Sequence, residues 1–439
     1  MPERRADVRG AGRRLLRRSA QGVRRTVARR PRLFIYFAIL GPGMITANAG
    51  NDAGGIATYA TAGADHGYRL LWTLIPITIS LGIVQEMCAR MGAVTGKGLA
   101  DLIRERFGVR WTAFVMLALL IANGGVTVSE FVGIAAAMEL FGVARYISVP
   151  IAAIAIWWLV VKGSYQRVER VFLAMSLVFL SYVISAFLAH PPWGTVVREV
   201  VHPHFEFGSA YLFTCVAIIG TTISPYMQVF IQSSVVEKGV RAEKYSLTRA
   251  DVWVGTVFAI MIVFFIMIST AATLNVHGEH IESAAQAARA LRPLAGPYAE
   301  ILFAVGLLGA SMLAAGVLPL ATAYSISEAL GFEKGVSSSF REAPIFLGIF
   351  TFLIALGALI AMMPGLPLIR VLIITQVING VLLPVILVAV LRLVNNRELM
   401  GSYVNGPLYN LAAWLTTFVV SALSVLLIAA TLFPGLFAK

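Results

Sequence analysis

About eleven long apolar segments follow one another along this chain of 439 residues. Most of them reach the roughly 20 residues that an α-helix needs to cross the hydrocarbon core of a bilayer. Because lipid offers no hydrogen-bond partners, the backbone of such a segment has to bond to itself, as a helix does. The sequence therefore predicts an all-α membrane protein with about 11 transmembrane helices. The segments lie near residues 33–62, 69–93, 111–140, 147–162, 168–188, 208–233, 250–273, 297–329, 344–363, 367–392 and 409–434.

The composition excludes several other classes of protein. With 58% hydrophobic and 13% charged residues, the chain is unlike a soluble domain. A net charge of +13 would suggest a nucleic-acid partner if the charges shared one soluble face, but they lie in loops and at the N-terminus. We therefore expect a lipid bilayer around the protein and no nucleic acid. Cys88 and Cys215 both lie in apolar segments, which indicates buried thiols rather than a disulfide framework.

The distribution of basic residues predicts the orientation. Residues 1–32 hold about a dozen arginines, which is typical of a cytoplasmic flank; an arginine-rich transit peptide is the alternative. Lysine and arginine also concentrate in every second loop, which favours an odd number of spans, a cytoplasmic N-terminus and an outside C-terminus. We expect a multi-pass protein of a bacterial-type plasma membrane, with a basic cytoplasmic tail over 1–32 and a transmembrane domain over 33–439.

Two segments contain a polar, helix-breaking stretch. Segment 1 contains NAGNDAGG at residues 48–55, and segment 6 contains IIGTTISPYMQ at residues 218–228. Both are the first segment of a set of five, and such a pair indicates an inverted-repeat transporter whose site lies near the bilayer midplane. The predicted repeats cover about 33–188 and 208–392, and an extra helix covers about 409–434.

The first break carries a carboxylate where the membrane offers no water. An ionised Asp52 there costs several kcal/mol, and neither broken segment contains Lys, Arg or His to pair with it. A cation is therefore its natural partner. Glycines and Pro225 let both helices open and turn carbonyl groups inward, and Thr221 and Ser224 add hydroxyl groups. All these ligands are oxygens, which suit Mg²⁺, Ca²⁺ and Mn²⁺.

At this point the residues resemble a family, the Nramp divalent-metal transporters, which have a LeuT-like fold. The likeness covers nearly the whole chain after residue 33. It implies a 5+5 inverted repeat with helices 1 and 6 broken. The matching stretches, in chain order, are GPGMITANAGNDAGG, EMCARMGAVTGKGLADLIRERFG, GTTISPYMQ, IITQVINGVLLP and NNRELMGSYVN.

The resemblance implies roles for five residues. Asp52 stands at the family's metal-binding aspartate, and Gly55 stands where the family has its ligand asparagine. Thr221 stands where a backbone carbonyl binds metal. Ser224 stands at the methionine that contacts soft transition metals, and Gln376 at a glutamine of the tenth helix near the site.

The departures from the family pattern concern the choice of ion and the proton. Ser224 brings no thioether, and a thioether favours Mn²⁺ and Fe²⁺ over hard ions. Its absence opens the site to Mg²⁺, which gives up water reluctantly. Tyr226 replaces a histidine and Thr127 replaces an aspartate of the proton route, although Glu130 remains. The sequence thus resembles the Nramp-related branch that moves Mg²⁺ and Mn²⁺.

Several neighbouring polar residues leave alternatives open. Asn48 or Asn51 replaces the missing asparagine ligand, or instead hydrogen-bonds to Asp52. Glu86, Glu130, Tyr226 and Gln228 are candidates for the permeation path. For Glu86 and Glu130 the alternative is hydrogen bonding between helices.

The expected function is secondary transport of divalent cations (Mg²⁺ and Mn²⁺, with Fe²⁺ as a further ion) by alternating access, weakly or not proton-coupled. The alternatives are a proton-coupled Mn/Fe transporter, an amino-acid or amine carrier of the same fold, and a metal sensor or receptor that binds metal without transporting it. An enzyme is not expected, because the sequence shows no paired carboxylates, nucleophile elbow or His/Cys cluster. The metal ion is then the substrate, and neither a cofactor nor an obligatory protein partner is expected.

Overall fold

The computed structural model describes residues 50–162, 177–206, 208–332 and 340–433. Their regular structure consists of α-helices and short 3₁₀ turns. The α-helices are α1 (Ala53–His66), α2 (Leu74–Thr95), α3 (Leu99–Leu140), α4 (Arg145–Lys162), α5 (Ser181–Leu188), α6 (Trp193–Val201), α7 (Ser209–Thr222), α8 (Pro225–Glu237), α9 (Tyr245–Thr273), α10 (Ala284–Ala288), α11 (Arg292–Ala295), α12 (Ala299–Leu330), α13 (Pro344–Ala361), α14 (Leu368–Val394), α15 (Arg397–Met400) and α16 (Pro407–Leu432).

The helices confirm the membrane class. Within the described residues, eight helical stretches are long and apolar enough to cross a membrane, and two shorter apolar helices cover Arg145–Val161 and Val178–Leu188. Together with α1, these stretches correspond in order to the predicted segments. Residues 33–49 of the first segment, Asn48 among them, lie outside the described residues. So does the basic tail over 1–32, which stays a prediction.

Two local predictions need correction. The third helix begins at Leu99 rather than near residue 111, because the charged stretch before the apolar core is also helical and bends at Gly108, whose φ is 75°. The sequence GEHIESAAQAARALRPLAG, from Gly278 to Gly296, predicts an outer amphipathic helix that does not span the membrane, but the structure forms only the short α10 and α11 there. Pro293 and Gly296, in and just after α11, stop a longer helix there. The short helix α6 was not predicted.

The packing brings the two helix breaks together. The long helix α3 packs along α12 and α14, while α14 also packs against α1 and α7. Helices associate in membranes largely through close contact between small residues. Gly220 of α7 and Gly380 of α14 show this: a Cβ added at Gly380 would lie 3.3 Å from the Cα of Gly220. The start of α1 and the gap between α7 and α8 therefore both lie beside α14.

Candidate ion-binding site at the two helix breaks

Asp52 is the N-cap residue of α1, and it caps the helix with one of its two carboxylate oxygens. Its Oδ1 accepts a hydrogen bond of 2.6 Å from the backbone N–H of Gly55. The side chain is only 1% exposed, and the described residues supply no hydrogen-bond partner for Oδ2. We call a buried side-chain oxygen or nitrogen "open" when the described residues supply no hydrogen-bond partner for it. Since buried polar atoms are normally paired, the open carboxylate oxygen marks a place for a cation.

The second break lies between α7 and α8. Pro225 begins α8 and has no N–H, so the helical bond that residue 225 would donate to the carbonyl of Thr221 cannot form. The side-chain Oγ1 of Thr221 is open as well. A Cβ added at Gly55 would lie 2.9 Å from this Oγ1 and 3.1 Å from Asp52 Oδ1. The two breaks thus meet at Gly55, with an oxygen from each on either side of it.

Gln376 of α14 faces the first turn of α1. Its carboxamide lies so close to Gly54 that a Cβ there would overlap it, and the same Cβ would lie 2.8 Å from Ser129 Oγ of α3. Within the described part of the chain, both side-chain polar atoms of Gln376 and the hydroxyl of Ser129 are open. Glycine at 54 is therefore the residue that lets α14 and α3 bring polar groups to the start of α1.

Ser224 lies in the second break, but its hydroxyl is engaged by the protein. The hydroxyl donates to the carbonyl of Gly220 at 3.0 Å and accepts a 2.5 Å hydrogen bond from Nδ2 of Asn379. Asn379 Nδ2 also donates to the Gly220 carbonyl at 2.9 Å, while Asn379 Oδ1 is open. Sequence reasoning missed Asn379. Its position three residues after Gln376, on the same helical face, is the signal that was available.

Glu130 places a second carboxylate at the start of α1. Its Oε2 accepts a 3.3 Å hydrogen bond from the N–H of Ala53, and its Oε1 is open among the described residues. Glu130 and Asp52 are both buried, and both sit at a helix N-terminus, whose positive end favours negative charge. The cluster thus brings two carboxyl groups to the same helix end.

The remaining predicted residues differ in how close they come to this cluster. Asn51 directly precedes Asp52 and is buried. Its Nδ2 is open among the described residues. Tyr226 is fully buried in the first turn of α8. Gln228 lies two residues further on, and its Nε2 donates to the carbonyl of Ser224 at 3.2 Å. Asn48 falls outside the described residues.

Glu86 belongs to a different polar cluster. It accepts hydrogen bonds from the hydroxyl of Tyr245 and, at 2.7 Å, from that of Tyr409. It also pairs with Arg90 at 3.4 Å. These contacts join α2 to α9 and α16, so the geometry supports the alternative in which Glu86 bonds helices together.

The open atoms around the two breaks include oxygens of the kind that hard cations prefer. They belong to the carboxylate of Asp52, the hydroxyl of Thr221 and the carboxamides of Gln376 and Asn379. Among the described residues no three His, Cys, Asp or Glu side chains cluster as a metal site. A site with few charges and several neutral oxygens suits an ion that keeps part of its water shell, as Mg²⁺ does.

Comparison with known proteins gives a consistent result. The family model described as Nramp, natural resistance-associated macrophage protein-like, matches residues 43–430. A protein of Erwinia tasmaniensis named divalent metal cation transporter MntH is 29% identical over 407 residues, covering 90% of this chain and 95% of its own. A protein of the same name from Deinococcus radiodurans is 27% identical over 399 residues, covering 88% of each chain.

Solved structures show the fold. The Eremococcus coleocola manganese transporter, in complex with an aromatic bis-isothiourea substituted compound, aligns with a TM-score of 0.72 at 20% identity, over 90% of this chain and 88% of its own. The inward-facing conformation of Mhp1 aligns with a TM-score of 0.57 at 16% identity, over 90% of this chain and 89% of its own. These likenesses confirm the predicted LeuT-like fold class.

Proposed function

The chain belongs to the Nramp family, and from this premise we propose that it carries divalent metal cations across the membrane through the site at the two helix breaks. The observation that carries the proposal is the open Oδ2 of Asp52, a buried carboxylate oxygen at the point where the two helix breaks meet. A Cβ at Gly55 would lie 2.9 Å from Thr221 Oγ1 and 3.1 Å from Asp52 Oδ1. A buried carboxylate without a donor is costly unless a cation or a proton meets it. The names of the relatives, divalent metal cation transporter and manganese transporter, agree with a cation.

We propose Mg²⁺ and Mn²⁺ as the principal ions, with Fe²⁺ as a further one. No thioether stands at position 224, so the preference for softer ions that sulfur provides is missing there. Asp52 Oδ2 and the Thr221 carbonyl are the proposed direct ligands. The open oxygens of Gln376 and Asn379 then bind the ion directly or accept hydrogen bonds from its remaining water molecules.

The burial of this site supports transport by alternating access. Asp52, Thr221 and Gln376 are at most 1% exposed, so an ion cannot enter or leave this conformation without a movement of the helices. Both α1 and α8 begin at the site. A helix that begins there can tilt about its first turn while the ligands stay in place, as broken helices do in inverted-repeat transporters.

Weak or absent proton coupling is the second part of the proposal. Thr127 donates its hydroxyl to the backbone carbonyl of Asn123 at 2.8 Å, and neither Thr127 nor Tyr226 exchanges a proton readily near neutral pH. A proton-coupled Mn/Fe transporter is the second candidate. The open Oε1 of Glu130 beside the start of α1 favours it, because a carboxyl group there could carry a proton.

The test is Mn²⁺ uptake into proteoliposomes, with and without a large excess of Mg²⁺ outside, and with a pH-sensitive dye inside. We expect Mg²⁺ to suppress Mn²⁺ uptake and the dye to stay silent. Uptake indifferent to Mg²⁺ would contradict the hard-ion site. Acidification in proportion to metal flux would support the coupled transporter. In a separate assay, protection of Asp52 from chemical modification by amines instead of metals would indicate an organic-substrate carrier.

A further inference from the structure

Three buried glutamines share an unusual hydrogen-bonding pattern. Gln85 of α2 and Gln228 and Gln232 of α8 are each 0% exposed. Each uses its amide nitrogen as a donor: Gln85 to the sulfur of Met227 at 3.8 Å, Gln228 to the carbonyl of Ser224 at 3.2 Å, and Gln232 to the carbonyl of Lys97 at 2.9 Å. The carboxamide oxygen of each is open with respect to the residues that the structure describes. We call these three residues the glutamine column.

The column leads away from the ion-binding site. Ser224, Gln228 and Gln232 are spaced four residues apart, so they lie on one face of α8. The row starts at the second helix break and ends at Lys97, in the loop between α2 and α3. The charge pattern of the sequence predicts this loop on the cytoplasmic side.

Helix α2 packs closely against the far end of the column. Gly92 lies two turns after Gln85 and so on the same face of α2. A Cβ at Gly92 would lie 2.8 Å from the backbone oxygen of Gln232 and 3.3 Å from its Cγ. The glycine therefore lets α2 and α8 close over this end of the column, and an ion can pass it only when the two helices move apart.

The column offers acceptors and carries no charge. Neutral carboxamide oxygens alone hold a bare divalent ion poorly, but the water molecules around a cation point their O–H groups outward. Such a hydrated ion, Mg²⁺ above all, presents donors to these oxygens. A carboxylate on the same route would hold the ion and slow its departure. At the end of the column, Lys97 is paired with Glu105 at 2.6 Å, so its positive charge is compensated.

We propose that the glutamine column is the route by which a hydrated divalent cation leaves the ion-binding site toward the cytoplasm. The proposal rests on the proposed function. It differs from a purely structural role, because the Gln228 amide bonds back to Ser224 and joins no two helices, while all three carboxamide oxygens stay open among the described residues. It also predicts that the column acts on the rate of release rather than on binding at Asp52.

The test uses Gln228→Met and Gln232→Met, which nearly keep the side-chain length but remove the acceptor. In proteoliposomes, we expect the maximal rate of Mn²⁺ uptake to fall by about tenfold in each variant, while Mn²⁺ binding to the purified protein changes by less than about twofold. Gln286→Met is the matched control, because the carboxamide oxygen of Gln286 is paired with backbone N–H groups in a short helix, α10, away from the column.

Gln228→Glu provides a second, independent variant. It keeps the size of the side chain and adds a charge, so we expect slower uptake together with an additional bound equivalent of Mn²⁺ in calorimetry. Wild-type rates in both methionine variants would overturn the proposal, as would a loss of Mn²⁺ binding in parallel with the rate. If the wild-type protein neither bound nor moved Mn²⁺, the proposed function itself would fail, and the two failures are therefore distinguishable.

Discussion

Gly55 provides the sharpest test of the site geometry. The family pattern has an asparagine ligand at this position, so a simple transfer of the pattern would suggest that a side chain here improves metal binding. The structure predicts the opposite. A Cβ at Gly55 would lie 2.8 Å from the carbonyl oxygen of Gly50, 2.9 Å from Thr221 Oγ1 and 3.1 Å from Asp52 Oδ1. Even Gly55→Ala would therefore displace backbone and site oxygens.

The size of the effect follows from the contacts. Overpacking a tight interior by one carbon costs about 1–3 kcal/mol, and it outweighs the roughly 0.5–1 kcal/mol that alanine gains over glycine within a helix. Two of the three displaced atoms belong to the site. If most of the strain appears in the bound state, Mn²⁺ affinity falls by about 5- to 100-fold, since 1.4 kcal/mol corresponds to a factor of ten.

The assay is calorimetric Mn²⁺ binding to the purified protein, together with its thermal unfolding. Gly316→Ala is the control, because a Cβ there would meet only Ile156 Cγ2 at 3.9 Å. That variant should bind Mn²⁺ normally and unfold at the wild-type temperature or slightly above it. Wild-type affinity in Gly55→Ala would refute the close approach of the two breaks. Tighter binding by Gly55→Asn would show that the pocket has room for the family's ligand.

Three further predictions concern single side chains. Asp52→Asn should abolish Mn²⁺ uptake while the protein remains monodisperse in size-exclusion chromatography; normal flux would remove Asp52 from the site. Glu86→Gln should lower stability by about 3 kcal/mol, because the largely buried Arg90 would lose its only described carboxylate partner and keep the neutral Asn405; an unchanged unfolding temperature would contradict this. The Asp65 carboxylate, which bonds to His280, raises the pKa of that imidazole. The pair therefore stabilises the fold below the ordinary histidine pKa of about 6.5 and loses this effect as the pH rises through the raised value. His280→Ala should lower the unfolding temperature more at about pH 5.5 than at about pH 8.5, and an equal drop at both would refute the linkage.

The apolar pattern predicted the spans well because lipid imposes a single rule. A segment that crosses the membrane must be apolar and must bond to itself, so the predicted segment 344–363 corresponds to the observed Pro344–Ala361. The same pattern misses helix that lies outside lipid. The first turns of α3 carry charges from Asp101 to Arg110, and hydropathy therefore placed the start of that helix about three turns too late.

The site was predictable in part, and the limit has a physical reason. Asp52 and Thr221 stand out because they interrupt apolar segments. Asn379 and Ser129 do not, since single polar residues in membrane helices commonly bond to a neighbouring helix. What gives them a role is the contact of α14 with α1 and α7, which depends on Gly54, among other small residues, and is visible only in three dimensions.

The exchange of a thioether for a hydroxyl at position 224 does not by itself give the ion a new oxygen ligand. The hydroxyl of Ser224 has one proton, which lies 3.0 Å (donor to acceptor) from the Gly220 carbonyl and 3.4 Å from the Thr221 carbonyl, and Asn379 occupies one of its acceptor positions. Asn379 is thereby held with its own Oδ1 open. Gln376 and Asn379 thus present carboxamide groups from α14, a helix without a break. If α14 supplies the neutral oxygens, the sulfur in Ser224→Met has to displace Asn379 before it can reach the ion. Only then should this variant prefer Mn²⁺ over Mg²⁺ more strongly than the wild type does. An unchanged ratio of Mn²⁺ to Mg²⁺ uptake in that variant, with a changed ratio in Asn379→Leu, would place ion selectivity on α14.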